Sequence, residues 1–124
     1  MTDTEVMRIC DVIRQTSFEL HTYLRSGFLE KIYENGLVHR LVLKGVRLEQ
    51  QKPLKVQDVD GFILGEYVAD MFVEDCLIVE LKAVSKVCNE HIAQTLGYMR
   101  ACKVTHGLLI NFGASVLEVH KFKL

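Results

Sequence analysis

Residues 67–83 read Y-V-A-D-M-F-V-E-D-C-L-I-V-E-L-K-A, and this stretch decides the fold. Asp70 stands ten positions before Glu80, and Lys82 follows two positions later, inside two otherwise apolar runs. Leu77, Ile78 and Val79 lead without a break into Glu80-Leu81-Lys82, so neither run is an ordinary solvent-facing strand. Ionised groups in such surroundings are costly unless something compensates them.

Directly opposed residues in an antiparallel pair point to one face. Asp70 therefore meets Glu80 only in a register whose opposed positions sum to 150, which sets Val73 against Leu77 and leaves Glu74-Asp75-Cys76 as a three-residue loop. A two-residue loop would shift the register by one and send the carboxylates to opposite faces. Glu80 and Lys82 share a face in either case. Two carboxylates about 4 Å apart repel by roughly 4 kcal/mol at an effective dielectric near 20. A divalent cation removes that penalty, and ligation by oxygen alone suits magnesium or manganese better than zinc. A neighbouring ammonium can orient an attacking water or stabilise charge that develops as phosphorus is attacked. The spacing equally suits a plain surface pair of Glu80 and Lys82 beside a turn-proximal Asp70.

On the N-terminal side, Thr2-x-x-Glu5 has the form of a capping box. Val6, Ile9, Cys10, Ile13, Leu20 and Leu24 recur at helical spacing, which predicts a first helix to about Leu24. After Ser26-Gly27, a second helical face of Phe28, Ile32, Leu37 and Leu41 should end near Gly45. From Val46 the period changes to two: strand segments over Val46–Leu48 and Leu54–Val56, then an Asp60-Gly61 hairpin turn into Tyr67–Val73. The lone proline, Pro53, should lie on a strand edge or at a strand start. On the C-terminal side, Cys76–Val84 reads as a strand and Asn89 as the cap of a helix over Glu90–Ala101. Thr105–Phe112 reads as a buried strand, and Val116–Phe122 as an edge strand. The order helix, helix, three strands, helix, two strands indicates a mixed α/β domain built on one central sheet.

The 124 residues are read as one domain, 1–124, and their 49% hydrophobic content supports a core of its own. The acidic start M-T-D-T-E does not resemble a signal peptide, and no apolar run approaches the roughly 20 residues that cross a bilayer. A cytoplasmic location, without membrane contact, is the expectation. Cys10, Cys76, Cys88 and Cys102 show neither a C-x-x-C pair nor zinc-like spacing, so they are read as reduced. A formal net charge of -1 excludes a strongly basic nucleic-acid binder but leaves room for a local basic face.

Asp70 followed by Glu80-Leu81-Lys82 resembles the PD-(D/E)XK nuclease superfamily, and Gly27-Phe28-Leu29-Glu30-Lys31-Ile32-Tyr33 resembles the signature of its GxxExxY branch. The resemblance continues through Gln51-Lys52-Pro53-Leu54, Glu66–Asp70, His91-Ile92-Ala93-Gln94, Tyr98 and Gly107–Gly113. Ala69 stands where the name-giving motif has proline. The resemblance implies a restriction-endonuclease-like core in α-β-β-β-α-β order and Mg2+-dependent hydrolysis of phosphodiester bonds in DNA, RNA being the less favoured substrate, with Mn2+ as a substitute. Asp70, Glu80 and the Leu81 carbonyl would ligate the metal, and Glu30 would complete or support that set. Lys82 would act on the attacking water. Gln94, Tyr98 and His91, on one face of the following helix, would position substrate or the lysine. Each of these residues also has a plainer reading: Glu30 as a first-turn acid favoured by the helix dipole, Tyr98 as core, Gln94 as partner to a backbone group. Lys52, Lys55, Lys86, Arg100 and Lys103 are candidate phosphate contacts, whereas His39, His106 and His120 are read as surface or core-edge residues. The rival reading is a catalytically inactive nucleic-acid-binding or protein-interaction module on the same fold. A homodimer through the edge strand at Val116–Phe122 is a further possibility.

Overall fold

The computed structural model describes residues 1–124. Helix α1 spans Asp3–Leu24 and opens with the capping box expected of Thr2 and Glu5. Its inner face carries Val6, Cys10, Ile13 and Leu20, with Ile9 and Leu24 half-buried beside them. Helix α2 spans Glu30–Leu43, and its buried face differs from the expectation. Phe28 and Ile32 are exposed, and the face against the sheet is Tyr33, Leu37 and Leu41, four residues apart, together with Glu34. Packing chooses this face: the Tyr33 ring stacks on Phe112, with centroids 4.8 Å apart.

Five strands follow in a mixed sheet of order β1-β2-β3-β4-β5: β1 Leu48–Gln57, β2 Ile63–Val73, β3 Leu77–Lys82, β4 His106–Asn111 and β5 Glu118–Lys123. Helix α3, Asn89–Cys102, makes the crossover between β3 and β4, the one parallel pair. The element order matches the sequence reading, but several limits move. Val46 is outside β1 because its N–H is taken by Leu41 O at the end of α2. The β1–β2 connection is a five-residue loop, Asp58–Phe62, closed by Asp58 N–H to Phe62 O at 2.8 Å, with Gly61 at φ 91°. Cys88, not Asn89, caps α3. Pro53 lies in the middle of β1, tolerated because β1 is an edge strand.

Strand β3 reads as an unbroken apolar run because both its faces are covered. Leu77, Val79 and Leu81 join the core under α1 and α2, whereas Ile78 packs with Leu54, Phe72, Tyr98 and Met99 under α3. The three-residue connection to β2 is as required: Val73 pairs with Leu77, Phe72 with Ile78 and Met71 with Val79. Glu74 and Asp75 turn the chain with φ of 50° and 54°, and Arg47 bridges both carboxylates. No helix is long and apolar enough to cross a membrane.

Candidate active site

The β2–β3 ladder stops at Met71 and Val79, one step before the acidic pair, while β2 continues alongside β1. The strands fork there, and side chains take over the bonding. Asp70 N–H donates to Glu80 Oε1 at 2.8 Å, and Leu81 N–H donates to Asp70 Oδ2 at 2.8 Å. Each carboxylate thus holds the other's strand and keeps its second oxygen available; Asp70 Oδ1 has only a 3.4 Å contact from Gln51 Nε2.

The electrostatics are those of negative charge gathered without enough compensation. Burial, then the Asp70 charge, pushes Glu80 up to about 8. Burial also raises Asp70, against the Leu81 N–H that lowers it, and the charge of Glu34 adds to the rise. Glu30, first residue of α2 and half-buried, is raised by burial and then by Asp70. Oxygen donors of this kind suit a hard divalent cation. No three acidic, His or Cys side chains converge as a ready-made metal cage, so Glu30 lies within electrostatic reach of the Asp70–Glu80 pair rather than joined to it.

Lys82, at the end of β3, donates from Nζ to Gln94 Oε1 at 3.1 Å, so the lysine and the α3 glutamine are brought together. The backbone beyond it is clamped. Phe112 N–H bonds Lys82 O at 2.8 Å, while the Asn111 amide bonds both N–H and C=O of Val84. Gly113 approaches Ala83 and Val84 so closely that a Cβ would overlap their backbone atoms.

The Gly27–Tyr33 stretch builds the entrance to α2. Gly27 has φ of +119°, open to glycine but unfavourable for other residues. The Tyr33 hydroxyl donates to Arg25 O and accepts from Phe28 N–H, tying the loop so that Glu30 starts the helix on the site side. His91 and Tyr98 lie on the same helix as Gln94, each with its own neighbours. His91 Nδ1 accepts from Cys88 N–H at 3.1 Å and so caps α3, and Tyr98 is 8% exposed with its ring centroid 5.0 Å from that of Tyr67.

Two residues near the site carried no role in the sequence reading. Glu34, 2% exposed, accepts from Lys31, Gln50 and Gln51; Gln51 reaches both its oxygens and also Asp70. Gln51 holds φ at +56° within β1, the kind of backbone strain that collects at sites. Spacing offered one signal, since Glu34 lies four residues after Glu30 and shares its helical face. The left-handed residue in a strand offered none.

A model of the PD-(D/E)XK nuclease superfamily matches residues 7–122, nearly the whole chain and every element around this fork. The chain belongs to the PD-(D/E)XK nuclease superfamily. Its five-stranded mixed sheet flanked by helices is the fold of PD-(D/E)XK nucleases, which generally use divalent metals. A solved structure described as the crystal structure of SSO0001 superposes with a TM-score of 0.58 at 15% sequence identity, over 75% of this chain and 48% of that one. That likeness concerns the fold, and this PD-(D/E)XK chain spans about half the length of that protein. No curated protein matches the sequence.

Proposed function

We propose that this superfamily member, of the GxxExxY branch, is a magnesium-dependent nuclease that hydrolyses phosphodiester bonds in DNA, with manganese able to substitute. The observation that carries the reading is the reciprocal bonding of Asp70 and Glu80 at the strand fork, with Lys82 two residues on and held by Gln94. Asp70, Glu80 and the Leu81 carbonyl would hold the ion, with Glu30 adding charge from α2. When bound, the cation supplies Lewis acidity and cancels the repulsion between the carboxylates. Lys82, kept in place by Gln94, orients the attacking water and steadies the charge that develops on the phosphoryl oxygens. The clamp of Asn111 on Val84 keeps the end of β3, and hence Lys82, from drifting. Assembly through the outer edge of β5 is compatible with this reading, because Asp70 and Glu80 lie on β2 and β3, away from that edge.

The test is cleavage of labelled single-stranded, duplex and branched DNA with magnesium or manganese, beside Asp70→Ala and Lys82→Ala. Metal-dependent cleavage by the wild type that both substitutions abolish is the expected result. Wild-type activity indistinguishable from both variants sinks the assignment. Metal-independent DNA binding without cleavage, retained by Lys82→Ala, would establish the non-catalytic module instead.

A further inference from the structure

We infer that the substrate reaches this site as a single strand, seated between α3 and the β1–β2 hairpin with an unpaired base against Tyr67. The inference rests on the nuclease reading above and names the form of its substrate. A cavity of about 390 Å³ is lined by Gln94, the residue that holds Lys82, together with Tyr67, Glu90, Ala93, Gly97 and Tyr98. A second cavity, of about 580 Å³, shares Tyr67 and Gly97 and continues away from the fork to Lys55, Arg100 and Lys103. The two form one groove because Gly97 places no side chain between them, and a Cβ at that position would meet nothing within 4 Å.

The chemistry of the groove changes along its length. At its middle, Tyr67 is 47% exposed and braced on one side by Tyr98, which leaves ring surface for a base. At its far end three cations face one lining acid, Asp58. Glu66 stands opposite Lys55 in the β1–β2 ladder, so Arg100 and Lys103, both exposed, are the cations left for phosphates. An aromatic platform followed by a basic track is what a single strand needs: stacking on Tyr67 requires a base free of its pairing partner, and the cations follow the backbone. A paired duplex presents neither an open base face nor a profile that enters cavities of this size.

The experiment is fluorescence anisotropy in EDTA, with a fluorescein-labelled single-stranded DNA of mixed sequence and the same strand annealed to its complement. The wild type should bind the single strand at least tenfold tighter than the duplex. Gly97→Leu, whose Cβ meets nothing within 4 Å and which improves helix propensity, should weaken single-strand binding tenfold or more without lowering the melting temperature. Arg100→Glu combined with Lys103→Glu should do the same and flatten the dependence of log K on log salt by about 1.4, at roughly 0.7 per phosphate contact. Tyr67→Phe should keep the affinity that Tyr67→Leu loses. Duplex bound as tightly as single strand, or a Gly97→Leu protein that binds as the wild type does, overturns the inference. Because binding is read without metal, the two proposals fail separately: a chain that binds the strand but never cuts it overturns only the nuclease reading.

Discussion

Glu34 and Glu80 are both nearly sealed from solvent, at 2% and 4% exposure, yet the protein treats them in opposite ways. Glu34 receives the Lys31 ammonium at 3.0 Å and the side-chain amides of Gln50 and Gln51, so its charge is met by donors from α2 and β1. Glu80 receives a single backbone N–H, lies beside Asp70, and is pushed up to about 8. A buried acid with its partners built in is part of the scaffold. One left short of partners keeps a demand for positive charge, which a proton or an external cation can meet.

The widest separation between the two regions should appear in catalysis. Lys82→Ala and Asp70→Ala should each lower metal-dependent cleavage by about 10²- to 10³-fold, the scale of losing a transition-state charge stabiliser, measured under single-turnover conditions. Glu34→Ala should act mainly on stability. Its loss removes the acceptor that gathers Lys31, Gln50 and Gln51 and opens space under α2, costing about 1–2 kcal/mol in urea unfolding, because the exposed amides and the Lys31 ammonium turn to water and Gln50 keeps Asn35. A Glu34→Ala protein as stable as the wild type would break the comparison.

A comparable loss, about 1–2 kcal/mol, is expected of Tyr33→Phe, which removes the hydroxyl that joins Arg25 O to Phe28 N–H. It tests whether Tyr33 serves loop geometry; circular dichroism melts would read it. The last effect has the opposite sign. Because the folded state raises Glu80 from 4.5 to about 8, the protonated form favours folding, and the stability it confers fades as pH rises through that window. In EDTA, Glu80→Gln should therefore gain on the wild type progressively from about pH 4.5 to about pH 8 and melt higher than the wild type above that. A variant that melts below the wild type at pH 8 would show that Glu80 is as well matched as Glu34.

Much of this was legible because β periodicity is strict. A period of two and the demand that Asp70 meet Glu80 left one register, and the Val73–Leu77 pairing follows it. Helix α2 was harder, since Phe28 and Ile32 offer as good an apolar face as Tyr33 and Leu37 until Phe112 selects between them. His91 and Tyr98 sit on the helical face that spacing gave them, where His91 accepts from the Cys88 N–H and Tyr98 packs beside the Tyr67 ring.

By itself the sequence determined the element order, the shared face of Glu80 and Lys82 and, on the condition that Asp70 meets Glu80, the three-residue β2–β3 turn. These depend on local periods and on chain connectivity, which are written residue by residue. Only the tertiary structure decided that the ladder ends one step before Asp70, that Gln51 turns left-handed to reach Glu34, and that Gly97 leaves a groove open beside α3. Those features arise where elements distant in sequence compete for the same space and the same hydrogen bonds, and no local pattern records who wins.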